Sequence, residues 1–354
     1  METCQHVVRG DEASKKRQEE WSDLWNEIVP STEAAVRMYR EEIISFVVDV
    51  LQNNDVWSVR AQAARMLTET TKHLQDRLQG ADAETLVSAS LLASLLPMLS
   101  GRIWPGKEDL LNAVGTIFSC AGPSLRKNWA ENEVFAVLSR EASKRKKEYA
   151  SAGLLACALF SRSLPYPKGT QWLLDKVSDN VRKTLDPSED GDQSDEEQNS
   201  TTTKEARLSE FVSQNMSALA KAVGAFAEGK DAAPAIDALC SYLTSPALFW
   251  KAKQTLAVSL LDLSGSWQPQ SPAEGSKLVE ALLAAAEEMM GQQRKTIAMQ
   301  CIAVISKMAQ RKEFFAIQWD QIKTKWETSR VVQETGLFDD LANLNLGAVS
   351  EVEQ

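Results

Sequence analysis

Apolar residues recur along most of this chain at spacings of three and four, which is the helical period, and no stretch alternates apolar and polar in the way a half-buried strand does. Trp21, Leu24, Trp25 and Ile28 predict a short amphipathic helix ending before Pro30. Ser31 or Thr32 then opens a longer one through Val36, Tyr39, Ile43, Ile44, Val47, Val48 and Leu51, which Asn53, Asn54 and Asp55 break. VWSVRAQAARMLTETTKHL follows at once, with Val59, Ala63, Met66 and Leu67 on one face, so the two stretches predict a helical hairpin. The pattern repeats as pairs near 83–99 and 105–121, 131–142 and 145–163, 168–185 and 204–227, 231–244 and 247–264, and 274–290 and 292–310. Pro123 and Ser124 are expected to separate the second pair from the third, and a last helix is expected over 313–328.

Helix pairs recurring at about forty residues have the period of HEAT or armadillo arrays. The predicted class is therefore all-α, an α-solenoid of about six to seven stacked HEAT-like hairpins, in which neighbouring pairs bury apolar faces that no pair can bury alone. In the first clear unit Asp55 is followed by Val59-Arg60 and the small residues Ala63 and Ala64; the next has Pro97 inside its first helix. Small residues let layers approach, and Arg60 is placed to satisfy turn carboxylates or carbonyls. Leu95 and Leu111 are expected to be interior. The organisation this predicts is a charged segment with a short helix over 1–30, repeats over 31–185, an acidic insertion over 186–203, repeats over 204–330 and a weakly patterned tail over 331–354.

One motif offers chemistry. Gly101, Gly106 and Lys107 stand in the order G-x-x-x-x-G-K, most of a phosphate-binding loop. A working loop of that kind follows a buried strand and has Ser or Thr after the Lys to hold magnesium. Here Leu91, Leu92, Leu95, Leu96 and Leu99 predict a helix before it, position 108 is Glu, and Trp104 and Pro105 add bulk and remove a donor. The same residues fit a turn between two helices: Gly101 ends the first, Pro105 suits the first turn of the second, and Glu108 and Asp109 complement its positive N-terminus. A nucleotide-binding enzyme using Gly101 to Lys107 stays as the alternative from another functional class.

Composition narrows the rest. The 354 residues carry a formal charge of -10, which argues against a general nucleic-acid binder. Much of that charge lies in DPSEDGDQSDEEQNSTTTKE, Asp186 to Glu205, whose low apolar content predicts a solvated insertion. It also offers Ser188 and Ser194 as candidate phosphorylation or docking positions. Lys144-Arg145-Lys146-Lys147 reads as a solvated turn or an import signal. The five cysteines contain no C-x-x-C pair, and only His6 and His73 are available as histidine ligands or bases, so no catalytic, metal or cofactor site is expected. No apolar run reaches the roughly 18 residues of a membrane span. Trp57, Trp104, Trp129, Trp250 and Trp267 fall near predicted turns, where an exposed Trp is a candidate hot spot for a partner.

Two strings carry a resemblance. NDVWSVRAQAA at 54–64 and LLASLLPMLSGRIWPGKEDLLNAV at 91–114, with WNEIVPSTEAAVRMYREEI at 25–43 upstream, resemble the proteasome adaptor and scaffold family of Ecm-type giant HEAT-repeat proteins. The most specific residues are Trp57, Arg60, Gly101, Arg102, Trp104, Gly106, Lys107 and Glu108. The resemblance is good over 21–120 and fades to helical pattern beyond. It implies a non-enzymatic protein, cytoplasmic and nuclear, that binds proteasome regulatory and core particle subunits and contributes to assembly, quality control or localisation. It also implies that the chain corresponds to the C-terminal portion of a longer protein. A generic HEAT adaptor, such as a transport receptor or phosphatase scaffold, is the alternative among binding proteins.

Overall fold

In a computed structural model, residues 36, 38–74, 89–125, 131–163, 167–185, 201–223, 233–263, 272–310 and 319–337 are described. Their regular elements are all α-helices: α1 (Arg40–Asn53), α2 (Trp57–Leu74), α3 (Ala89–Leu99), α4 (Lys107–Leu125), α5 (Glu131–Ala142), α6 (Lys147–Ser163), α7 (Pro167–Leu185), α8 (Thr201–Val223), α9 (Ala233–Thr244), α10 (Trp250–Leu263), α11 (Pro272–Gly291), α12 (Lys295–Ala309), α13 (Trp319–Trp326) and α14 (Arg330–Thr335). The fold is an all-α solenoid of helical hairpins. It divides into two units, Met1–Ala121 and Gly122–Gln354.

The first unit is built from α1 to α4. Leu91, Leu92, Leu95, Leu96 and Leu99 of α3 are all buried, and so are Leu110, Leu111, Val114, Ile117 and Phe118 of α4, both sets at helical spacing. Of the four residues expected on the inner face of α2, Ala63 and Leu67 are buried and Val59 and Met66 are not. Ala61, Ala64, Thr71 and Leu74 are buried as well. A face of Ala and Thr lets the backbone of a neighbour come closer than a face of Val and Met does, so the small side chains win the interior. Two boundaries also differ. α4 starts at Lys107, with Pro105 and Gly106 left in the turn, and it continues past position 123 to Leu125.

In the second unit α6, α8, α10 and α12 pack side by side in chain order as one layer, and α9 packs on α11 in the other. One apolar cluster runs without a break from Leu174 of α7 to Leu337. Close approach is explicit at Gly153 of α6, where a Cβ would stand 2.7 Å from the Ala142 backbone of α5. Polar pairs tie the layers. The Asn180 amide donates to Asn215 at 2.9 Å, and buried Lys253 of α10 meets Glu288 of α11 at 2.5 Å. Lys277 pairs with Asp237, and Lys325 with Glu280 at 2.6 Å. Glu287 of α11 accepts from the Ser329 hydroxyl at 2.5 Å and from the Val331 N–H at 3.2 Å, capping the start of α14 with a carboxylate.

Α4 begins at Lys107, α10 at Trp250 and α12 at Lys295, each two or three residues after the position that periodicity predicts. In the turn before α12, Gln293 has φ +59, a left-handed residue that stops α11 cleanly.

Candidate functional site

The Gly101 to Lys107 segment joins α3 to α4. The Lys107 N–H donates to the Trp104 carbonyl at 3.1 Å, and Gly106 has φ +91. Pro at the second position and a positive-φ Gly at the third make Trp104-Pro105-Gly106-Lys107 a type II turn. Gly101, at φ +96, supplies the reversal after the last turn of α3. Gly106 is also required by space, because a Cβ there would lie 2.6 Å from the Ala61 Cβ of α2.

Lys107 is completely buried. Its Nζ donates to the Leu99 carbonyl at 2.7 Å and lies 3.4 Å from the Arg102 carbonyl. The ammonium therefore sits on the free carbonyls at the C-terminus of α3, the negative end of that helix, and is turned inward. In a phosphate loop it would point out toward a ligand. Glu108 lies in the first turn of α4, with one carboxylate oxygen buried and without a hydrogen-bond partner. Asp109 next to it pairs with Arg65 of α2 at 2.9 Å, linking the two hairpins.

Arg60 does in the first hairpin what Lys107 does in the second. Its Nε donates to the Asn54 carbonyl and an Nη to the Gln52 carbonyl at 3.2 Å, both at the end of α1. The Asn54 side chain accepts from the Val56 N–H at 2.8 Å and closes the turn. The Arg60 guanidinium lies 5.1 Å from the centre of the Trp57 ring, which stacks on Trp104 at 5.6 Å with the planes 15° apart. The two turns thus meet through an aromatic pair. Beside it is a pocket of about 320 Å³ lined by Leu51, Met98, Ser100, Arg102 and Leu110 together with Gln52, Arg60 and the two Trp rings. Trp57 is 45% exposed, and Val56 and Val59 beside it are 54% and 40% exposed.

Six of the sequence-selected residues, Trp57, Arg60, Arg102, Trp104, Gly106 and Lys107, thus meet at one end of two hairpins. Gly101 and Glu108 flank them. Ser188, Ser194, Trp129, Trp267 and His6 lie outside the described residues. The Lys144 to Lys147 run forms the turn between α5 and α6, with Arg145, Lys146 and Lys147 exposed. Sequence reasoning missed a second Trp–Arg pair: Arg294 lies 4.2 Å above the ring of Trp250. Among the described residues no group of three or more His, Cys, Asp or Glu is placed to hold a metal ion, and no helix is long and apolar enough to cross a membrane. Burial pushes the Cys120 thiol up to about 11 and those of Cys240 and Cys301 up to about 12, and raises Cys157 further, so none is a ready nucleophile at neutral pH.

No protein-family model matches the chain. Over 149 residues, 41% of its length, it is 28% identical to the human "Proteasome adapter and scaffold protein ECM29". It is 29% identical over 144 residues to the Drosophila melanogaster "Proteasome-associated protein ECM29 homolog". A third match is 22% identical over 173 residues, 49% of this chain, to the Saccharomyces cerevisiae "Proteasome component ECM29". The matched stretches are 8%, 7% and 9% of those proteins, so the chain spans a small fraction of the relatives it matches. Among solved structures, an engineered protein aligns over 75% of this chain and 96% of its own at 14% identity and a TM-score of 0.42. A designed armadillo repeat protein solved with a (KR)4 peptide aligns over 74% and 98% at 16% identity and a TM-score of 0.41.

At the motif that first suggested phosphate chemistry, the lysine that would hold the phosphate is buried and turned inward. The arrangement offers an aromatic and guanidinium surface held rigid by two turns, which is the chemistry of protein recognition.

Proposed function

We propose that this chain is a non-enzymatic scaffold segment that associates with the proteasome. The observation that carries the reading is the similarity to proteins from human, fly and yeast whose names all place them with the proteasome. The inward turn of Lys107 supports its non-enzymatic part, because the one motif with enzymatic chemistry is spent on closing α3. Within this proposal the chain contacts regulatory and core particle subunits, helps link them or sort defective assemblies, and works in the cytoplasm and nucleus. Stacked hairpins suit such a role because they present a long surface on which many weak contacts add.

The test is affinity capture from cell extract with the tagged chain, followed by identification of what is retained. Proteasome subunits of both particles are expected at low salt. Recovery of a transport cargo or a phosphatase subunit without proteasome subunits would favour a generic helical-repeat adaptor and defeat the proposal.

A further inference from the structure

We infer that the pocket between Trp57, Trp104, Arg60 and Arg102 docks a segment of a partner protein that carries carboxylates beside a bulky apolar side chain. It deepens the adaptor reading and rests on it only in taking the ligand to be a protein.

Size comes first. At about 320 Å³ the pocket is at the low end for small-ligand sites, with room for a few side chains of a peptide. Its floor is apolar, made by Leu51, Met98 and Leu110, and one wall is the stacked Trp57–Trp104 pair. A large aliphatic or aromatic side chain fits that floor and wall.

Charge gives the second half of the ligand. The lining contains two guanidinium groups and no carboxylate, on a chain whose net charge is -10. Asp109 in the first turn of α4 is already paired with Arg65. Arg60 is partly committed to the carbonyls of its turn. Arg102 is exposed, and its guanidinium has no hydrogen-bond or ion-pair partner among the described residues, so its five donors are available. A planar carboxylate is the group that matches this fork. Exposed Val56 and Val59 extend the apolar strip past the Trp57 ring, so that a peptide rather than a lone anion fills the surface. A polyphosphate backbone would need several outward cations, and here Lys107 is turned away.

The experiment is selection of a random peptide library against the full chain. Selected peptides are then measured as fluorescein conjugates by anisotropy, with an oligothymidylate and phosphatidylserine vesicles as competing probes. The expected binders carry Asp or Glu next to Leu, Phe or Trp, and replacing their acids with amides weakens them about fivefold or more. Arg102→Glu should weaken them to a similar degree, and a peptide with Lys in place of the acid should prefer this variant over the wild type. Trp57→Ala should remove binding of both. Because the Arg102 guanidinium has no hydrogen-bond or ion-pair partner among the described residues, an unchanged circular dichroism spectrum and urea midpoint are expected for its variant. The inference is overturned by binders without acidic enrichment or by affinities that Arg102→Glu leaves within about twofold. It is equally overturned if the oligonucleotide or the vesicles bind with the same Arg102 dependence. No proteasome enters this measurement, so its failure leaves the proteasome association standing, and failure of the affinity capture leaves the peptide result standing.

Discussion

Replacing Lys107 with Ala separates a structural turn from a phosphate loop more sharply than any other single change. The substitution removes three buried methylenes beyond Cβ, at about 0.8 kcal/mol each. It also removes a charged donor at 2.7 Å from the Leu99 carbonyl, a bond of a kind that contributes about 1.5–3 kcal/mol net. The expected loss is therefore about 4–5 kcal/mol, falling on the first unit. Lys107→Met keeps most of the stem and loses the bond, so it should cost only about 1.5–3 kcal/mol. Urea unfolding followed by far-UV circular dichroism reads the size of the effect, and amide hydrogen exchange in α3 and α4 reads its place. A Lys107→Ala protein within about 0.5 kcal/mol of the wild type would refute the buried-cap account. So would a wild type that binds magnesium ATP through this Lys and a variant that does not.

Gly106→Ala combines a strained positive φ with the overlap on Ala61 and should cost about 2–4 kcal/mol; adding Ala61→Gly should relieve the overlap, so a double-mutant cycle by urea unfolding reads a favourable coupling of about 1 kcal/mol or more. Gly153→Val should destabilise the second unit by at least about 2 kcal/mol, since the added atoms meet the Ala142 backbone and no flexible chain end, and a lowered thermal midpoint checks it. Cys240 and Cys301 titrate near 12 in the folded chain against 9.0 for an ordinary thiol, so between those values the unfolded chain has lost protons that the folded chain keeps. Stability should accordingly be unaffected by these thiols below about pH 9 and fall as pH rises above it, with a shallower fall in a Cys240→Ala, Cys301→Ala double variant followed by urea titration. A thiol reagent at neutral pH should label half-buried Cys120 well before buried Cys157, which should react only on unfolding.

The helices were legible because their apolar spacing is dense: the Leu residues of α3 and the apolar face of α4 leave no other period to fit. The contact of Arg60 with its turn carbonyls is readable from its place one turn into α2 after Asn54-Asp55. Other features were not, for physical reasons. A Lys at a helix start reads as a solvated charge, and only the three-dimensional end of α3 makes burying Lys107 favourable. The same holds for buried Lys253 and for Glu141, which is fully buried with the Tyr149 hydroxyl donating to it at 2.9 Å. The exact start of α4 was hidden because Pro suits both a first helical turn and the second position of a type II turn. The Gly after it was the signal that decides between them. Val59 and Met66 looked interior by hydrophobicity, but α2 packs through its small residues, and which of two apolar stripes faces inward depends on a neighbour that periodicity does not name.

The central claim is that this chain binds the proteasome without doing chemistry of its own, and sedimentation with purified proteasome tests it most directly. Mixed with particles in which regulatory and core parts are joined, the tagged chain should move into the fast-sedimenting fractions in a saturable, salt-sensitive way and leave peptide hydrolysis without added nucleotide turnover by the chain. A chain that stays at the top of the gradient at low salt, at concentrations well above those of the particles, would contradict the account.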